Sequence, residues 1–189
     1  MTSTSKSKLR VSALRARRSL SDEQRENASM KICARVTRSH EFMASRMVGC
    51  YLPISAEVDP TNIIQRAWCA KKRVFAPVTD THGAMNFCEI TPDTVVTRNH
   101  YGLWEPNSGA FINAKQLDIV ITPLAAFDAA NNRIGMGGGY FDRRFHFLRN
   151  RCKWLRPKLI GVAFECQEVE MLVADTWDVP LYKTVTDAD

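Results

Sequence analysis

The sequence predicts an α/β protein: a single-domain, three-layer α/β/α fold, Rossmann-like, with a mostly parallel central sheet. Three observations carry this. Residues 117–122 and 159–164 are apolar runs without alternation, the pattern of strands buried on both faces. Such runs alternate along the chain with segments of helical period. A glycine-rich run then follows one of the buried strands, where α/β folds place ligand loops beyond the carboxyl ends of the sheet. The 189 residues, 45% hydrophobic, suit one domain over 1–189.

The elements follow in order. Residues 6–20 form a basic helix with Leu9, Ala13, Leu14 and Leu20 near one face. Ser21-Asp22-Glu23-Gln24 is a capping box opening a second helix to about His40, with Ala28, Ile32 and Val36 inward. Residues 47–52 make a short buried strand stopped by Pro53. Asp59-Pro60 starts a helix carrying Ile63, Ile64, Ala67 and Trp68, proline suiting the first turn. Residues 73–78 and 85–90 are strands joined by a turn at Asp80-Thr81-His82-Gly83, and residues 102–106 are a loop. After the strand at 117–122 and the glycine run, residues 141–155 read as a helix, 159–164 as a strand, and the tail from Trp177 as extended.

Composition excludes several classes. The N-terminal stretch is polar and basic without an apolar core, so it is not a signal peptide. The longest apolar stretch, residues 117–127, falls short of a membrane span, and a cytoplasmic protein is expected. Six cysteines lack C-x-x-C pairs and zinc-ligand spacing, so reduced, mostly buried thiols are expected. The net charge of +6 is ordinary for a soluble domain, and no module interleaves basic residues with stacking aromatics. Nucleic acid and membrane are therefore set aside as partners.

The richest stretch runs from Asn132 to Arg144. Gly135, Gly137, Gly138 and Gly139 crowd into five positions, letting backbone N–H groups approach a ligand. A helix start behind them favours anions. Arg133, Arg143 and Arg144 add positive charge, and Asp142 is placed to hold a cation. Tyr140 and Phe141 stand where a Walker A loop has Lys and Ser or Thr, and Tyr140 where a dinucleotide loop has its third glycine. The local chemistry says anion plus cation without naming the ligand; a plain surface turn is the alternative. Lys6 and Arg10, at i and i+4, share a helix face and can grip phosphates, or form a solvated basic face. Glu57 can accept N–H groups or simply open a helix, and Trp104 and Tyr140 can stack on a ring or pack in a core.

Taken together, Lys6-x-x-Leu9-Arg10, Tyr51-Leu52-Pro53 with Glu57, and Gly102-Leu103-Trp104-Glu105-Pro106 form a pattern. It continues through Pro123-Leu124-Ala125-Ala126-Phe127-Asp128, the glycine run ending Tyr140-Phe141-Asp142-Arg143, and Trp177-Asp178-Val179-Pro180. From Lys6 to about Thr186 the chain resembles the 5-formyltetrahydrofolate cyclo-ligase (5,10-methenyltetrahydrofolate synthetase) family. The resemblance implies an ATP- and Mg2+-dependent ligase that converts 5-formyltetrahydrofolate into 5,10-methenyltetrahydrofolate, releasing ADP and phosphate.

By that likeness Lys6 and Arg10 hold ATP phosphates. Arg133, Gly135, Met136, Gly137, Gly138, Gly139, Tyr140 and Phe141 wrap the nucleotide. Asp142 and Asp178 hold magnesium. Leu52, Glu57, Trp104 and the loop from Met136 to Tyr140 face the folate, with Arg10, Tyr140 and Asp142 at the chemistry. Phe141 departs from the family's second tyrosine, and Gly138 stands where some members carry lysine. A monomer is expected, and a polyglutamate tail on the folate would suit the basic patch at 143–158, through Arg149 and Arg151.

Overall fold

The computed structural model describes residues 3–54, 56–80, 83–150 and 156–188. The end of the expected helix at 151–155, with Arg151, lies outside them, as do Thr81 and His82 of the expected turn. Helix α1 (Ser3–Ser19) leads into α2 (Asp22–Arg38) and the short α3 (His40–Ala44). The capping box forms: the Gln24 N–H donates to Ser21 Oγ at 3.1 Å, and the Ser21 N–H to Gln24 Oε1 at 2.8 Å. Strand β1 (Met47–Cys50) is followed by α4 (Thr61–Cys69), β2 (Arg73–Thr79) and β3 (Met85–Ile90).

Short strands β4 (Val96–Arg98), β5 (Trp104–Pro106) and β6 (Phe111–Ile112) precede the central β7 (Ile119–Pro123). A hairpin of β8 (Ala126–Phe127) and β9 (Arg133–Ile134) then leads to α5 (Tyr140–Phe145). The chain closes with β10 (Lys158–Val162) and β11 (Lys183–Val185).

The seven-stranded sheet has the order β11-β10-β7-β1-β2-β3-β6. Strands β11, β10, β7, β1 and β2 are parallel, and β3 and β6 join antiparallel. Pleating sorts the strand residues between two cores. Val48, Cys50, Val74, Ala76, Ile119, Ile121, Ile160 and Val162 meet Ile32, Val36, Phe42, Ile63 and Ile64 of α2, α3 and α4. Phe75, Val120 and Leu159 face the other way, onto Phe87, Phe145, Val179 and Leu181. Gly49 lies on this second face: a Cβ there would sit 3.1–3.2 Å from Leu117, Val120 and Phe87 side chains. Its lack of a side chain makes room for those neighbours.

Two expectations change. The helix expected over 141–155 stops at Phe145 and tightens into a 3-10 turn, His146–Asn150. Phe145 is fully buried while its neighbours Phe147 and Leu148 pack only partly against the same core, so the segment is tethered by aromatic anchors rather than by a long stripe. The second helical layer is correspondingly thin. Residues 104–106, expected as loop, pair with β4 as β5.

Candidate functional site

Helix α1 lies across the carboxyl end of the parallel strands. Leu9, Ala13 and Leu14 pack against Ala125, Ala126, Ile134 and Leu172, which turns Lys6 and Arg10 towards the glycine run. Arg10 Nε donates to the Gly135 carbonyl at 2.9 Å. Lys6 Nζ reaches Asp175 at 2.5 Å and Asp178 at 2.7 Å. Burial works against the Lys6 charge, but these two hydrogen bonds outweigh it and raise the ammonium above its ordinary value.

The β8–β9 hairpin that delivers Arg133 is organised by Asp128, which is buried. Its carboxylate accepts from the Ala130, Asn132 and Leu172 N–H groups and from the Asn132 side chain, at 2.8–3.1 Å. Burial alone would push this carboxyl up; the hydrogen bonds prevail and hold it below its ordinary value. Gln167 supports the same end by donating to the Leu124 and Ala125 carbonyls at 3.0 and 2.9 Å. Arg133, nearly buried, then donates from Nη2 to Asp142 Oδ1 at 2.7 Å and from Nη1 to the Val179 carbonyl. Asp142 Oδ1 also accepts from the Val179 N–H at 3.1 Å. Between these anchors Gly137 and Gly139 have φ of 109° and 64°, the left-handed half of the map that glycine enters without strain.

The loop separates two cavities. One, of about 520 Å3, is charged: Lys6, Arg10, Arg149, Asp175, Trp177 and Asp178 line it with the loop. The other, of about 250 Å3, is mainly apolar and includes Leu52, Pro77, Leu103, Trp104, Met136 and Phe141, with Glu57 also in its lining. Arg133, Gly135, Gly139 and Asp142 line both cavities. Glu57 is 8% exposed, and one carboxylate oxygen accepts from the Ile54 N–H at 3.2 Å. Burial raises its proton affinity, partly countered by that N–H and by the field of Arg17. Arg17 is itself buried, and its Nε has no hydrogen-bond partner among the described residues.

The expected site residues are thus divided between two walls. Lys6, Arg10, Gly137 and Asp178 line the charged cavity, with the four shared residues. Leu52, Glu57, Trp104, Met136, Gly138, Tyr140 and Phe141 line the apolar one. Met136, Gly138, Tyr140 and Phe141, expected on the nucleotide as well, line the apolar cavity. Arg149, expected on a polyglutamate tail, lines the charged cavity.

Asp175 and Trp177 are additions. Asp175 sits three residues before Asp178, a spacing the sequence displays; Trp177, 63% exposed, offers the charged cavity a stacking face. Trp104 is 37% exposed, with the Arg98 guanidinium 4.8 Å from its ring centre, so it is a cavity wall rather than a core residue. Of the five described cysteines, Cys33, Cys50 and Cys88 are buried, while Cys69 and Cys166 are exposed.

No group of three or more metal-ligating side chains occurs among the described residues. Asp142 Oδ1 and Asp178 Oδ2 are occupied by hydrogen bonds, while Asp142 Oδ2 and Asp178 Oδ1 accept none among the described residues. Two such oxygens fit magnesium, which takes one or two carboxylates and completes its shell with phosphate and water.

Comparison with known proteins bears on this geometry. A family model described as the 5-formyltetrahydrofolate cyclo-ligase family matches residues 2–187. A 5-formyltetrahydrofolate cyclo-ligase of Haemophilus influenzae is 32% identical over 186 residues, spanning 96% of this chain and 97% of the relative. One from Escherichia coli is 34% identical over 176 residues, spanning 90% and 93%. The structure of an Aquifex aeolicus 5,10-methenyltetrahydrofolate synthetase superposes with a TM-score of 0.83 at 30% identity, covering 97% of this chain and 90% of that one.

Proposed function

The chain belongs to the 5-formyltetrahydrofolate cyclo-ligase family and is a ligase of folate one-carbon chemistry; from that premise we propose that the charged cavity binds ATP with Mg2+ and the apolar cavity binds 5-formyltetrahydrofolate. The observation that carries this reading is the shared wall: Arg133, Gly135, Gly139 and Asp142 border both cavities, so two substrates can meet there. The products are 5,10-methenyltetrahydrofolate, ADP and phosphate. A cytoplasmic, single-domain monomer acting on the mono- or polyglutamylated folate completes the reading. No described helix is long and apolar enough to cross a membrane.

The reaction must make a poor leaving group leave. A formyl oxygen bound to carbon does not depart unaided; once it carries a phosphoryl group, N10 of the folate can close on the carbon and phosphate departs. Bound ATP supplies that phosphoryl group, and Mg2+ neutralises its charge. The chain's residues position and neutralise. Lys6 and Arg10 face the phosphates. Asp142 and Asp178 each offer one uncommitted oxygen to the metal, and Arg133 fixes Asp142 from behind. Glu57 accepts N–H groups of the pterin, Trp104 and Tyr140 flank the ring, and the Met136 to Tyr140 backbone holds the formyl group against the wall.

The test is absorbance in the near-ultraviolet, where the methenyl product absorbs. A rise that requires 5-formyltetrahydrofolate, ATP and Mg2+ together is expected; a rise without ATP, or none with folded protein, overturns the reading. Asp142→Asn is expected to lower kcat by about 100-fold or more, since it weakens a charge acting on the developing transition state. Wild-type kcat in that variant would remove Asp142 from the metal site.

A further inference from the structure

The apolar cavity leaves one part of the proposed substrate without a counterion. Tetrahydrofolate ends in a glutamate whose carboxylates are ionised at neutral pH. The charged residues lining the cavity are Glu57, Glu105, Asp142 and Arg133. Arg133 is committed to Asp142 and the Val179 carbonyl, and the three acids repel carboxylates. The tail must therefore leave this cavity to find positive charge.

A third cavity, of about 510 Å3, adjoins it through Met85 and Tyr140, which line both. The ionisable residues that line it, apart from Tyr140, are Lys115, Arg143, Arg144 and His146; no described Asp or Glu does. Lys115 and Arg144 have no carboxylate partner among the described residues. The Lys115 ammonium lies 5.3 Å over the Phe147 ring, and Arg144 Nε is buried without a hydrogen bond. Arg143 is held in place by donating to the Gly138 carbonyl at 2.7 Å and the Gly83 carbonyl at 3.3 Å. A buried donor left unpaired is costly, and a carboxylate is its best acceptor. This cavity also differs in make-up from the nucleotide cavity, which mixes cations with Asp142, Asp175 and Asp178.

We propose that this third cavity binds the glutamyl carboxylates of the folate substrate, with Lys115 and Arg144 as its dedicated cations. The inference rests on the apolar cavity holding the pterin. It moves the tail away from Arg149, which faces the nucleotide side.

Kinetics with three substrates test it: 5-formyltetrahydropteroate, which lacks glutamate, and the mono- and triglutamates of 5-formyltetrahydrofolate. Lys115→Ala and Arg144→Ala are each expected to raise KM about fivefold for the monoglutamate and more for the triglutamate, with kcat and the KM for ATP little changed. The glutamate-free analogue supplies the reference, and its KM should follow wild type. An equal rise for that analogue would mean a structural effect, and no rise for any substrate would place the tail elsewhere; either overturns the proposal. Lys115 is exposed, so its variant decides the matter if Arg144→Ala fails to fold. If wild-type protein binds and turns over none of the three, the apolar-cavity reading itself fails; an active wild type with indifferent variants refutes the tail site alone.

Discussion

Two acids, Glu57 and Asp128, show how environment sets a carboxylate's task. Asp128 is saturated by N–H donors and serves the hairpin. Glu57 is buried and, among the described residues, accepts one N–H, from Ile54, which leaves oxygen capacity for a ligand. Burial raises its proton affinity, so the ionised form, which in the proposed complex accepts pterin N–H groups, is lost at a higher pH than for an ordinary glutamate. The KM for 5-formyltetrahydrofolate should therefore be flat at high pH and rise as pH falls through that elevated value. Glu57→Gln should abolish this limb and leave KM about tenfold or more above the wild-type plateau, the usual scale of a hydrogen bond to a charged group. A pH–KM profile of the two proteins checks it; an unchanged limb in Glu57→Gln would assign the titration to another group.

At the scale of elements, α3 illustrates how a short helix is secured to a sheet. Its Glu41 accepts from Lys183 Nζ of β11 at 2.7 Å and lies 3.9 Å from Lys158 Nζ of β10. The Lys183 hydrogen bond, against a smaller effect of burial, pulls the Glu41 carboxyl down from 4.5 to about 2. A depressed carboxyl contributes stability above its unfolded value and loses it as pH falls from there towards about 2. Glu41→Gln should then lower stability by about 1 kcal/mol at neutral pH, in keeping with part-exposed ion pairs. The difference from wild type should close near pH 2 in denaturant titrations; a gap independent of pH would refute the ion-pair origin. The sequence displayed the large elements because period and capping are local: the Ser21 box and the strands at 47, 73, 85 and 119 stand where expected. It concealed β4, β5, β6, β8 and β9, each two or three residues long, since pairing partners rather than pattern define them. It also concealed which cavity each glycine-run residue lines, because that depends on the folded path of the loop rather than on local pattern.

Over the whole molecule, the site is a partition with a cavity on either side, and residues should sort kinetically by the side they line. Leu52→Ala is expected to raise the KM for folate alone, and Lys6→Met the KM for ATP alone, each about tenfold. Arg133→Lys should raise both, because losing the two-pronged hold on Asp142 and Val179 loosens the common wall. Steady-state kinetics with each substrate varied in turn checks this; an Arg133→Lys effect confined to one substrate would contradict the shared wall. Lys6 and its partners Asp175 and Asp178 are 169 and 172 residues apart along the chain. During synthesis from the N-terminus, helix α1 emerges early and waits while the sheet is built, and its lysine meets its acids only after residue 178 has left the ribosome. A nascent chain can thus fold its central strands and still lack the charged cavity proposed for the nucleotide. The charged cavity proposed for ATP is thus completed only when segments far apart along the chain meet.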